Sequence, residues 1–409
     1  MIGTVLALII AILLHFSDIG KEVLPNFTIL GIILIAVATL FLLLPVLAIT
    51  YAWVPLQRAE QDLTPRVFEL FRKDMHIRIA NIILLIFPLI SYALAIDIIF
   101  LNALNKNITF PIWIILLGIS MDALHHLLKR LSGYLDPFFV TDMLEQDGKK
   151  NIQDGQELDL CYDIDALSEI GIRAIQRTSM SLCNHSVNAL QKTAKVFFES
   201  AKSIGNISLE EKGKSLGLSD TVSYTLFYLL QRFETINDKA IEKKLEPVCS
   251  NIITALGKVS IAAAKCDITL ASYPLHFLGR LAISAQKQGL QEVGPKAILT
   301  LQEVGKNILT EIDVKYAELQ EPFFTLIAQL HDITNEMFRQ DKNINIKLLT
   351  QPFVDLKILF STEKMASHQD TPSILHEITR VLDEYNALAE VMRSMPSIPP
   401  MAPEGEFEK

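Results

Sequence analysis

The chain reads as all-α: a four-helix N-terminal transmembrane region followed by a helical cytoplasmic domain, built as a bundle or as an irregular helical repeat. Three observations predict this. Long apolar runs with few charges crowd residues 1–135. Beyond them the apolar residues recur with a period near that of an α-helix, about 3.6 residues. Pro and Gly fall between these segments, and no stretch alternates as a strand bounded by hairpin turns.

The first apolar run is 2–16. No Lys or Arg precedes it and no small-x-small cleavage site follows it, so it reads as a short span and not as a signal peptide. The other spans are 28–54, with Pro45 inside, 79–104, with Pro88 and Asp97, and 110–128, which runs into His125, His126, Lys129 and Arg130. Each of these three reaches the roughly 20 residues that cross a bilayer.

Orientation follows from the basic residues in the short loops. Arg58, Arg66, Arg72, Lys73, Arg78, Lys129 and Arg130 fall on one side, against Lys21 and Lys106 on the other. This predicts a multi-pass protein of the inner (plasma) membrane with both termini cytoplasmic. Tyr51, Trp53 and Trp113 lie near span ends, where interfacial anchors sit. Asn26–Thr28 and Asn107–Thr109 match glycosylation triplets, a pattern common by chance.

Between the second and third spans, Leu63, Val67, Leu70 and Phe71 recur at helical spacing among charges, after Thr64 and Pro65, a cap-then-proline start. The segment predicts an amphipathic helix, lying at the membrane surface or docking on the soluble part, or else an extension of the third span.

The soluble part carries the acid. Residues 1–135 hold nine basic and eight acidic side chains, and the remainder 28 and 38. A net −10 there argues against nucleic acid or anionic lipid as the main partner. Residues 134–157 read as a linker, Gly- and charge-rich over 142–157. The helical domain is 158–393, with helices expected near 158–178, 184–204, 219–239, 245–266, 269–289, 292–318, 321–340, 344–361 and 373–394. The Pro-rich tail 394–409 is expected to be disordered.

A loose repetition runs through this domain: Ala189–Ala194, Ala255–Ser260, Phe277–Ala282 and Thr300–Gly305 each place Leu second, an apolar or Thr residue fifth and a small residue sixth. Small residues let stacked helices approach, which fits a repeat, but the irregular spacing fits a compact bundle equally.

Candidate chemistry is sparse. Charge inside a bilayer is costly, so Asp97 and Asp122 are the candidate intramembrane ion site, with His125 and His126 three and four residues beyond Asp122. His76 is a possible further contributor. The plainer reading places these groups at a helix contact or the interface, with Lys129 pairing Asp122. No GxSxG, HExxH, Walker-type loop or dinucleotide fingerprint occurs. Cys161, Cys183, Cys249 and Cys266 are spaced as reduced structural residues, without CxxC pairs. The chain reads as non-enzymatic, with no metal and no cofactor.

Taken in order, two spans, Leu63–Arg66 with Phe71–Asp74, two spans ending in His125-His126, and a helical domain with Asp165–Ala174 and Asn188–Gln191 resemble the bacterial four-span membrane proteins of domain-of-unknown-function family 2254. Members carry Ser-Pro-Arg before an Asp in the inner loop and a His-His pair ending the fourth span. The resemblance maps onto Pro65, Arg66, Asp74, His125, His126, Arg173 and Ala174, with Thr64 in place of Ser. The family's Ser-Pro-x-x-Asn-Asp-Pro segment has no counterpart in 175–187. The resemblance implies the four-span topology and brings no settled activity.

The functional expectation is a membrane-anchored assembly or interaction protein whose helical platform binds a protein partner or further copies of itself, with the lipid bilayer as its other partner. The alternatives are an oligomeric ion channel using the polar residues of spans three and four, and a membrane-bound hydrolase.

Overall fold

The computed structural model describes residues 2–16, 27–101, 106–208, 216–315, 317–341 and 346–394. Sixteen α-helices occur among them and no strand. The chain divides into two compact units, Met1–Leu144 and Glu145–Lys409. The basic loop residues Lys21 and Lys106, both glycosylation triplets and most of the tail 394–409 lie wholly or partly outside the residues or side chains described.

The first unit contains α1 (Ile2–Phe16), α2 (Phe27–Asp62), α3 (Arg66–Lys73), α4 (Met75–Ile96) with a π-helical turn at Asp97–Leu101, and α5 (Lys106–Gly133). Helix α1 packs on α5, α5 on α4, and α4 on α2, so the apolar helices form a row in the order α1, α5, α4, α2. All three contacts are antiparallel. Gly3 meets Asp122 and Ala7 meets Gly118. The Trp113 indole donates to Ser91 at 2.7 Å, and Phe41 packs edge-on against Phe87 with centroids 5.0 Å apart.

The apolar side chains of this row point outward. Ile32, Val46, Leu85 and Leu89 are all more than half exposed. Only 17% of the apolar stretch of α2 is buried. In the second unit α10 (Glu246–Cys266) also has the length and hydropathy of a span, yet 61% of it is buried against its own neighbours. Outward apolar surface suits lipid as solvent, and inward apolar surface suits water. The outward apolar surface of the N-terminal helices is compatible with a membrane protein, and α10 is a core helix.

Small residues set the approach of α1 to α5. Gly3, Ala7 and Ala11 recur every four residues on α1, and a Cβ at Gly118 would overlap that of Ala7. This is the small-xxx-small contact of membrane helices, where dispersion at short range replaces the hydrophobic effect. Trp113 is buried in the row and is not the interfacial anchor expected, because Ser91 satisfies its N–H and Phe87 and Phe110 lie against its ring. Tyr51 and Trp53 are exposed, in keeping with the expectation.

The second unit continues with α6 (Pro137–Gln153), α7 (Glu157–Gln176), α8 (Met180–Ser208), α9 (Leu216–Glu242), α10, α11 (Ser272–Lys287), α12 (Val293–Glu311), α13 (Gln320–Gln340), α14 (Ile346–Phe360), α15 (Glu363–Ala366) and α16 (Thr371–Ser394). The boundary between units falls within α6. The expected linker 134–157 is thus mostly helix, interrupted by the turn after Gly133 and by the turn at Gly155, whose φ is +69°. Gly148, counted there as a loop signal, sits inside the helix with room for a Cβ.

Alternate helices stack. α8, α10, α12 and α14 follow one another in one layer, and α7, α9, α11, α13 and α16 in the other. This is a two-layer helical repeat, in which each helix pair buries its apolar face against the next. The repetition seen in the sequence marks it. Three of its four copies fall in α8, α10 and α12 of the same layer, and the fourth in α11. Its Leu is fully buried in every copy: Leu190, Leu256, Leu278 and Leu301.

Close approach between stacked helices again rests on small residues. A Cβ at Gly257 of α10 would collide with Thr300 of α12, and one at Gly279 of α11 with Gln329 of α13. We expect Gly257→Leu to destabilise the chain by about 1–3 kcal/mol, the usual cost of overpacking. Thermal unfolding of the purified chain checks this, with Gly148→Ala as a control at a helical site where a Cβ meets only ordinary contacts.

Candidate functional site

The polar residues singled out in the first unit gather around two carboxylates, and each closes the start of a helix. Asp74 separates α3 from α4. Its extended backbone (ψ 108°) breaks the helix, and its side chain accepts from the His76 N–H at 2.9 Å, capping α4. Its other oxygen accepts from Arg130 Nε at 2.7 Å and from the Tyr134 hydroxyl at 3.0 Å. The carboxylate is almost wholly buried. Burial raises its pKa, but the donors from Arg130, His76 and Tyr134 outweigh that and hold it below the ordinary 3.8.

Asp74 thereby ties the α3–α4 turn to the end of α5. Helix α3 completes the joint. Val67 and Leu70 are buried, Phe68 packs edge-on against Trp53 of α2, and Phe71 packs against Tyr134. Leu63, Val67 and Leu70 are buried and Phe71 half-buried, as their spacing predicts. Of the two expected placements, the structure shows a separate amphipathic helix, because Asp74 prevents α3 from running into α4. The helix start lies where Thr64 and Pro65 predict. Pro65 has helical dihedrals, and the Thr64 hydroxyl accepts from the Arg66 N–H at 3.5 Å. Arg66 pairs with Glu69 at 2.9 Å.

Asp122 does for α1 what Asp74 does for α4, across more than a hundred residues of sequence. Its two oxygens accept from the Gly3 N–H at 3.0 Å and the Thr4 N–H at 2.9 Å, and from the Thr4 hydroxyl. The first N–H groups of a helix have no partner of their own, and in an apolar surrounding each one left bare is costly. Asp122 is therefore an N-cap supplied from another helix, and α1 is its partner in place of the Lys129 pair expected.

His126 meets His76 edge-on, with ring centroids 5.7 Å apart. Both are exposed, as is His125. Among the described residues no group of three or more His, Cys, Asp or Glu could hold a metal ion. Asp97 is buried in the π-helical turn Asp97–Leu101. The structure does not bring Asp97 together with Asp122, His125 and His126.

In the second unit, Arg173 pairs with Glu169 one turn back on α7. Cys183 and Cys249 are buried, and burial pushes both thiols up to about 12. Cys161 and Cys266 are half-buried. Sequence reading missed Arg130 and Tyr134 as partners of Asp74. Their only local signal is the placement of a basic and an aromatic residue one turn apart at the end of a span.

No protein-family model matches the chain, and no curated protein sequence does. A solved structure, a circular tandem repeat protein with novel repeat topology and enhanced subunit contact surfaces, is similar at 14% identity over 90% of this chain and 100% of that one. The TM-score is 0.31, a likeness too loose to assign a fold.

Asp74→Asn should cost about 2–4 kcal/mol, because it leaves Arg130 partly buried without its counter-charge. Since the folded carboxyl lies below its unfolded value, this stability is present above about pH 4 and is lost as pH falls toward the folded value. Thermal unfolding in detergent at neutral and acid pH should therefore show a steeper loss in the parent chain than in Asp74→Asn. At Asp122, the substitution to Ala should release the start of α1. The measurement is maleimide labelling of Ala7→Cys, which should be slow in the parent and several-fold faster in Asp122→Ala or Gly118→Leu.

Proposed function

We propose that the chain is a membrane-anchored assembly protein: apolar helices α1, α2, α4 and α5 hold it in the inner membrane, and the two-layer repeat is a cytoplasmic platform that binds a protein partner. The observation that carries this reading is the alternate stacking of α7 to α16. Stacked helix pairs build an extended surface in which each pair adds area without a new core, which is how helical repeats present binding faces. The basic residues flanking the row support the cytoplasmic side for that surface. Asp122 is engaged by Gly3 and Thr4, so the geometry lends an ion path no support at that residue.

The reading is tested on the full chain, extracted gently into nanodiscs from its native membrane and weighed by native mass spectrometry. It expects a stoichiometric foreign protein in the particle, retained in His126→Ala. A particle containing only copies of this chain, with ion flux in liposomes that His126→Ala alters, would overturn it in favour of a channel.

A further inference from the structure

The net acidity of the second unit conceals a basic cleft. Between α8 and α10, on the outer side of their layer, lies a cavity of about 500 Å³. Lys192, Lys195, Lys258 and Lys265 line it, and Glu199 is the one acid among its lining residues. Its floor is apolar, formed by Phe198 and Ile261 among others.

The repeat puts the lysines there. Lys192 and Lys258 occupy the same fourth position of the repeated segments Ala189–Ala194 and Ala255–Ser260, on helices that are neighbours in the layer. That position faces outward, and both side chains are exposed. Lys195 and Lys265 extend the row along the two helices. In α12 the equivalent position is Glu303, so the basic strip ends where the cleft ends.

Three of the lysines have acidic neighbours. Lys192 lies 3.1 Å from Glu145, Lys195 3.8 Å from Glu199, and Lys265 2.7 Å from Glu311. The Lys195 and Lys265 pairs are largely open to water, where such contacts are worth little and rearrange readily, while Lys192 reaches the buried Glu145, which Lys149 also neutralises. No ion pair holds Lys258 among the described residues. The volume lies within the roughly 300–1,000 Å³ of small-molecule sites, and ammonium groups above an apolar floor match a ligand with an anionic end and an apolar body.

We infer that the α8–α10 cleft binds a soluble small molecule carrying phosphate groups on an apolar body, held by Lys192, Lys195, Lys258 and Lys265. This stands apart from the platform reading, since a platform without the ligand would still bind its protein partner.

The test uses the full chain in phosphatidylcholine nanodiscs, with trinitrophenyl-ATP as a fluorescent amphipathic polyphosphate. The expected result is saturable binding at one site, displaced by inorganic tripolyphosphate and weakened about tenfold or more in K195Q/K258Q, as loss of two charge-assisted contacts requires. K287Q, an exposed lysine elsewhere on the repeat, should leave it unchanged. In a Cys161→Ser background, bound probe should also slow alkylation of Cys266, which lines the same cleft. Absence of saturable binding, equal affinity in K195Q/K258Q, or equal weakening by K287Q would overturn the inference. So would displacement by nanodiscs doped with phosphatidylinositol bisphosphate but not by tripolyphosphate, which would assign the cleft to a lipid headgroup. Circular dichroism of K195Q/K258Q separates lost binding from lost fold.

Discussion

Helices in both units approach one another across residues too small to hold them apart, and most of the architecture depends on that approach. Gly118 admits Ala7 in the first unit, and Gly257 and Gly279 admit Thr300 and Gln329 in the second. The solvents differ, and so does the force that rewards closeness. Among apolar helices exposed on their outer faces, short-range dispersion is what remains once lipid matches the side chains in polarity. In the repeat, the same approach seals buried Leu190, Leu256, Leu278 and Leu301 away from water, where burial itself is the larger reward.

Close packing of apolar helices leaves their ends to be satisfied, and the two acids that look most like chemistry in the sequence serve that need. Asp74 caps α4 and gathers Arg130 and Tyr134, while Asp122, two turns before Arg130 on α5, caps α1. Each is an anion at a helix N-terminus, where the macrodipole favours negative charge. The unit's connectivity follows from these two joints: one fixes the α3–α4 turn onto α5, and the other fixes α1 along the same helix. Helix α5 is thus the spine of the unit, touching α1 by small residues and α4 by Trp113, His126 and Arg130.

Most helices were legible in the sequence because each has an apolar stripe of helical period. The nine expected in the second unit are all present, though α9 begins at Leu216, ahead of the expected 219. Helix α6 was hidden because Gly148 and a run of charges resemble a loop when read locally. The repeated Leu-and-small pattern pointed to stacking, but irregular spacing left a bundle equally plausible, and only the alternation of neighbours decides between them. Contacts across long sequence separations were not legible at all. Nothing near Asp122 announces Gly3 and Thr4, and nothing near Trp113 announces Ser91. The basic cleft was invisible for a different reason, since a net charge averages over surfaces that the fold keeps apart.

These features together describe a bipartite chain: a row of helices that needs lipid, and a helical repeat that needs only water. The most direct measurement introduces a protease site at the exposed Gly155 turn, cleaves the chain in isolated membranes, and washes them with alkaline carbonate. The fragment beyond the turn should leave the membrane as a folded, helical, monodisperse species while residues 1–155 stay in the pellet. Retention of both fragments in the pellet, or release of both into the wash, would contradict it.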